Sequence, residues 1–211
     1  MVKIKNLIVL GIPSATLFAN PVFAHHPMGG QVPVTFWQGL LSGFGHPVIG
    51  FDHLAFIILV GIAVAFCSLR KILTITFITA TVTGCIVSTN GLMLPFLEAT
   101  IASSVVLAGI LVVSGHKYNT KIFAAIFAIA GFFHGCAYGA AILGAETSPF
   151  LSYLIGFAVI QYCIAMGTSW LILTVWKAKH TQEIQPRIGG AIALGVGLVF
   201  LIEQIESLIL K

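Results

Sequence analysis

Charge is what this sequence has least of. Across 211 residues there are six acidic and ten basic side chains, 8% charged in all, against about 25% in an ordinary soluble domain. Such a chain cannot clothe a water-facing surface of normal polarity. The basic residues are scattered and sit beside the ends of apolar runs, which excludes the basic patch a nucleic-acid binder needs. The four cysteines, Cys67, Cys85, Cys136 and Cys163, form no Cys-x-x-Cys pair, so neither a disulfide framework nor a zinc knuckle is indicated, and they read as small packing residues. No Gly-x-x-x-x-Gly-Lys-Ser/Thr loop is present, which removes ATP hydrolysis by that route, and there is no His-Glu-x-x-His metalloprotease motif.

What the chain does have is apolar length: 58% of it is hydrophobic. A spanning helix takes about 20 apolar residues, so the expected fold is an all-α integral membrane protein, a bundle of about six transmembrane helices following an N-terminal signal peptide. Lys3 and Lys5 form a basic start, Leu7 to Phe18 a short apolar stretch, and Val22-Phe23-Ala24 a small-x-small cleavage site, so residues 1–24 read as a secretory signal and the mature chain is expected to begin at His25. Residues 25–49 are expected to form an extracytoplasmic N-terminal segment. Within it Thr35 to Gly45 is too short to span and precedes Pro47, which suggests an interfacial segment or a half-helix laid against the first span. Residues 50–211 hold six apolar runs: Gly50 to Cys67, Ile72 to Thr89, Ala99 to Ser114, Ile122 to Leu143, Phe150 to Trp176 and Ile188 to Leu210.

Loop charge orients them. Arg70 and Lys71, then Lys117 and Lys121, then Lys177, Lys179 and Arg187 mark alternate connections, while the gaps Asn90 to Pro95 and Gly144 to Pro149 hold no Lys or Arg. The positive-inside rule makes the basic gaps cytoplasmic and both termini extracytoplasmic, in a bacterial-type inner membrane. Small residues recur at Gly131, Gly135 and Gly139 and again at Gly189, Ala193 and Gly197, ridges that let helix backbones approach closely.

Within the bilayer an ionisable side chain costs about 2.5 to 3.5 kcal/mol on insertion scales, so each one calls for a reason. The densest group is Gly45-His46-Pro47-Val48-Ile49-Gly50-Phe51-Asp52-His53. Pro47 suits the first position of a helix, which would make His46 the N-cap of the first span and put His53 two turns further on, nearly on the same face. Imidazole nitrogen with carboxylate oxygen suits nickel, cobalt, zinc or non-haem iron. The alternative is a capping His46 and an Asp52 bonded to a neighbouring helix, with no metal. In the fourth span His134 and Tyr138 are four residues apart and share a face. Tyr138, with Glu98, Gln161 and Glu146 as further polar groups, could extend a metal path, though Glu146 reads more readily as an exposed loop residue. The segment His25-His26-Pro27-Met28 would join imidazoles, a thioether and, after cleavage, a free amine, a set able to capture metal, copper(I) included.

The string His46-Pro47-x-x-Gly50-x-Asp52-His53-Leu54-Ala55, continuing to Val60-Gly61-Ile62-Ala63, resembles the first-span signature of the HupE/UreJ family of nickel and cobalt permeases. The likeness extends through Glu98 with Ser103-Ser104, Phe133-His134-Gly135 and Gly144-Ala145-Glu146-Thr147. It implies metal-path roles for His46, Asp52 and His53, with His134 as a second contributor. Where the family pattern reads Phe-His-Gly-x-Ala-His-Gly-x-Glu, this chain has Tyr138 for the second histidine and Ala141 for the glutamate, and phenol is a poorer ligand than imidazole for nickel.

The expected function is therefore import of nickel or cobalt for metalloenzyme maturation, with the cation as cargo and no permanently bound cofactor. Copper and zinc stay open as cargoes. Expected partners are the lipid bilayer and the ion, with a homo-oligomer or hydrogenase and urease maturation proteins as further candidates. The rivals are an intramembrane metalloenzyme, which would need about three firm ligands and an open position, and a non-transporting accessory that hands metal to an assembly machinery.

Overall fold

The computed structural model describes residues 31–116 and 119–210; the signal segment 1–24 and the segment with His25, His26 and Met28 lie outside them. Seven α-helices follow in order: α1 Phe36–Ile49, α2 Phe51–Ala65, α3 Arg70–Thr89, α4 Leu97–Ser114, α5 Thr120–Ala140, α6 Thr147–Trp170, extended by a wider turn over Leu171–Val175, and α7 Ile184–Ile209. No strand occurs among the described residues. Five of these helices are long and apolar enough to cross a membrane, and α1 with α2 makes a sixth span if that bent pair is counted as one. The apolar runs of the sequence match the helices to within a few residues at each end.

The entry to the bundle differs from the expectation. Pro47 does not open a helix: it lies in the last turn of α1, which runs on to Ile49, and His46 is in that same turn and is not an N-cap. Gly50 is the N-cap of α2, and the two helices are bent by 79° about it. The physical reason is local. Proline removes only its own donor, and so close to a helix C-terminus the rest of the ladder survives, as the Gly50 N–H to His46 carbonyl bond at 3.1 Å shows. α2 then starts afresh with Leu54 N–H on the Gly50 carbonyl at 2.8 Å. At 15 residues α2 is about 22 Å long, short of the roughly 30 Å hydrocarbon core, and it counts as a span only when taken together with α1.

α1 is a half-helix whose start is set by a capping box, Thr35 Oγ1 accepting from the Gln38 N–H while the Gln38 side chain accepts from the Thr35 N–H, each at 3.2 Å. It lies mainly on α6 and less on the first span. A Cβ at Gly39 would meet the Pro149 carbonyl and one at Gly43 the Tyr153 carbonyl, so these two positions must be glycine for the contact to close.

Two other pairs are built alike. α5 meets α3 through Gly131, Gly135 and Gly139, which face Phe77, Thr81 and Cys85, and α4 meets α7 through Gly109 against Leu194 and through Gly190 and Gly197 against Val112 and Val105. The α5 ridge is the one the sequence marks. On α7 the buried line is Gly190, Ala193 and Gly197, while Gly189 is only partly covered and faces Ile62 of α2. Among these three pairs stands α2, alone among the described helices in touching all the others. Its Phe56, Ile57, Leu59, Val60 and Val64 form the centre of the apolar core with Phe77, Val105, Phe127 and Ala165.

Candidate metal centre

Three of the paired helices and the α1–α2 corner bring their polar side chains to one level. His46 comes from the last turn of α1, Asp52 and His53 from the first turn of α2, His134 and Tyr138 from the second half of α5, Ser104 from the first half of α4 and Tyr153 from the first half of α6. That level lies away from Arg70, Lys121 and Lys177, which sit at the other ends of their helices. His46, Asp52, His53 and His134 are each at most 2% exposed.

The corner at Gly50 replaces the single helical face expected of His46 and His53. Their rings belong to different helices and approach to 5.8 Å because the chain bends between them. In the first turn of α2, where backbone N–H groups have no partner within the helix, Asp52 Oδ1 accepts from the His53 N–H at 2.8 Å, and its carboxylate sits at the positive end of the helix dipole. A Cβ at Gly50 would meet His53 Cδ2 at 2.7 Å, so glycine there makes room for the ring.

His53 Nδ1 is 2.8 Å from His134 Nδ1, and His134 Nε2 is 2.9 Å from Ser104 Oγ. His46 Nδ1 is 3.0 Å from the Tyr153 hydroxyl, which donates to the Tyr138 carbonyl at 3.0 Å. The Tyr138 ring stands 4.6 Å from His53 and 5.0 Å from His46, and its own hydroxyl is buried with no hydrogen-bond partner. Three imidazoles, one carboxyl group and two phenols thus share a compact, water-poor volume. The ring nitrogens bond to one another and to hydroxyls, and no group of three or more His, Cys, Asp or Glu among the described residues is arranged as a metal cage.

The other residues singled out by the sequence fall elsewhere. Glu98 is exposed in the first turn of α4, and Glu146 is exposed at the N-cap of α6 as expected of a loop residue; neither hydrogen-bonds to the histidine group. Gln161 is fully buried two turns further along α6 than Tyr153, with its amide N–H groups on the Phe157 carbonyl at 3.1 Å and Thr81 Oγ1 at 3.4 Å and its Oε1 without a partner. None of the four cysteines forms a disulfide among the described residues, and Cys85 and Cys136 are buried. Sequence reasoning missed Tyr153 entirely and met Ser104 only inside the family likeness. Each lies one face away from a histidine on another helix, a relation that no spacing along the chain displays.

A polytopic helical bundle with several apolar spans around a buried group of ionisable side chains is the architecture of a multi-pass membrane protein. The profile of the HupE / UreJ protein family matches residues 14–200, and the chain belongs to that family. It is similar to Protein HupE of Rhizobium leguminosarum bv. viciae, 28% identical over 181 residues, which cover 83% of this chain and 89% of that protein. No solved structure matches it.

Proposed function

We propose that the chain is a permease that imports a divalent transition-metal cation, nickel or cobalt, across a bacterial-type inner membrane for metalloenzyme maturation. The observation that carries this reading is the buried group of His46, Asp52, His53 and His134, gathered among the spans at the corner about Gly50. Ion conduction asks for sites favourable enough to enter and weak enough to leave. Nitrogen and oxygen donors drawn from three helices, without a preformed cage, fit that demand. The hydrated cation is captured at the outer face, where His25, His26 and Met28 would assist, and sheds water onto His46, Asp52 and His53. It then passes along the inner face of α6, where Gln161 offers an unpartnered amide oxygen. An inward potential favours entry of a dication by about 4.6 kcal/mol per 100 mV, twice the single-charge figure.

The loop charges support extracytoplasmic termini, with the histidine group in the outer half of the bundle. The test is uptake of radiolabelled nickel and cobalt, with copper and zinc as competitors, in cells without their own importers. Saturable uptake that disappears in Asp52→Ala and His53→Ala at equal membrane levels is expected. A well-inserted wild type that takes up none of these metals would sink the permease reading and shift the weight to an accessory or an enzyme.

A further inference from the structure

A buried polar atom with no partner bears the full cost of its lost hydration, so each one calls for a reason. Four side-chain atoms among the described residues are in that position: Tyr138 Oη, Gln161 Oε1, Ser169 Oγ and Gln185 Oε1. Gln185 is only partly covered, near the start of α7, whereas Tyr138, Gln161 and Ser169 are each at most 1% exposed. These three are not scattered. Gln161, Ala165 and Ser169 follow one another at every fourth position of α6, all buried, which puts them on one face of the helix over about 12 Å. Tyr138 stands at the head of this strip, its ring stacked 5.3 Å from that of Phe157, one turn before Gln161.

Local geometry fixes what the strip offers. Gln161 Nε2 lies 3.1 Å from the Phe157 carbonyl, which can only accept, so the amide is held in this sense and its Oε1 keeps its lone pairs. Ser169 departs from the habit of the other helical hydroxyls. Thr74, Thr76, Thr83 and Thr100 each donate to the carbonyl one turn back, the usual outlet for such a group in a helix, and Ser169 donates to none. Directly after it the helix leaves its regular pitch over Leu171–Val175, an irregularity frequent at functional positions. The facing wall is α3. Thr81 Oγ1 is 3.4 Å from Gln161 Nε2, and Thr74 Oγ1 is 3.9 Å from the sulfur of Met166, three residues before Ser169. Both threonines are fully buried and give their one proton to a backbone carbonyl, Ile78 for Thr81 and Arg70 for Thr74, which leaves their oxygens as acceptors.

We propose that this strip is a second cation site inside the bundle, built from neutral oxygens, with Gln161 Oε1 and Ser169 Oγ as successive ligands and Thr81 and Thr74 beside them. It takes the divalent ion from the histidine group and passes it towards the Arg70 end of the bundle. This deepens the permease reading and rests on it for the cargo and the direction. Amide and hydroxyl oxygens are hard donors that stand in for part of a dication's water shell, and they suit nickel or cobalt less well than imidazole does. A firmer nitrogen site followed by weaker oxygen sites lets the ion enter and still leave.

The experiment puts a soft ligand in place of Ser169. The full chain in lipid nanodiscs, as wild type, Ser169→Cys and Ser169→Ala, is titrated with cobalt(II), and nickel uptake by the same three is measured in cells with and without cadmium. Cobalt bound to a thiolate absorbs in the near ultraviolet, and the native thiols of the wild type give the background. Expected are a thiolate band in Ser169→Cys well above that background, and cadmium inhibition of its uptake at a concentration lower by about tenfold or more, because thiolate is the softer and firmer ligand. Ser169→Ala should lose maximal uptake several-fold at an unchanged half-saturating concentration, which the histidine group sets. Its melting temperature should hold, since an unsatisfied buried hydroxyl gives way to a group that needs no partner. A Ser169→Cys variant with no band above background, or a Ser169→Ala variant with wild-type uptake per folded molecule, would overturn the proposal. Ser169→Ala decides alone if Ser169→Cys does not insert. A thiolate band in Ser169→Cys when the wild type transports no metal would refute the permease reading and leave the site standing.

Discussion

α2 and α7 are both strongly apolar helices, yet they live in opposite surroundings. Twelve of the fifteen residues of α2 are buried, and it touches every other helix. Four of the twenty-six residues of α7 are buried, and Ile192, Val199 and Ile202 are each more than half exposed. In water such a contrast would be written in hydropathy. In a bilayer it is not, because lipid tails are as apolar as leucine and give no reason to bury one apolar residue over another. What separates the two helices is the placement of small residues and of the few polar ones: Gly61, Asp52 and His53 on the inner helix, and a single glycine-alanine line on the outer one. An ionisable side chain must face protein or a wet cavity, so the helix that carries Asp52 and His53 is the one wrapped by the rest.

The contrast is broken or sharpened most strongly by removing the ionisable groups of α2. Asp52→Ala or His53→Ala should reduce metal uptake by about 100-fold or to background, at or beyond the upper range for damage to the surroundings of a metal ligand, whereas Glu203→Gln on exposed α7 should leave it within about twofold; uptake at equal membrane expression decides. Equal losses from both helices would mean that α7 is part of the path.

Next in size is close packing. A Cβ at Gly61 would meet the Ala165 carbonyl at 2.5 Å and Thr168 Cβ at 2.7 Å, contacts that α2 and α6 can relieve only by moving apart. Gly61→Ala is expected to destabilise by about 1 to 3 kcal/mol, the usual cost of overpacking, read as a lower melting temperature in detergent with uptake reduced in proportion to folded protein.

Gln161 tests whether the inner face of α6 is path or only packing. Gln161→Leu removes an amide whose Oε1 is buried and unpartnered, and replacing a poorly satisfied buried polar group by an apolar one of similar size is nearly neutral for stability. The melting temperature should therefore hold while uptake falls several-fold. A fall in melting temperature with uptake per folded molecule unchanged would make Gln161 a packing residue.

The sequence made legible those features that the bilayer penalises. The spans stood out because polar residues are excluded from them, and His46, Asp52, His53 and His134 stood out because they remain despite the cost. The α1–α2 corner was not legible, since Pro47 favours the first turn of a helix and is also tolerated in the last, and the close contact of Gly39 and Gly43 with α6 that accompanies the second option is not displayed by any spacing along the chain. The contact of Tyr153 with His46 was hidden for a different reason. Tyr153 is one aromatic residue in an apolar run, and its meaning lies in a 3.0 Å contact with a residue 107 positions away.

The smallest effect is expected at Gly195 on the outer helix. Nothing lies within 4 Å of a Cβ built there, and the residue is exposed. In a helix interior glycine is less favourable than alanine by about 0.8 to 1.0 kcal/mol, so Gly195→Ala should leave uptake unchanged and raise the melting temperature slightly or not at all. A loss of stability there would carry more information than its size suggests. It would mean that a partner, such as a second copy of the chain, packs against this face in the membrane, and the outer helix of the single chain would then be an inner helix of an oligomer.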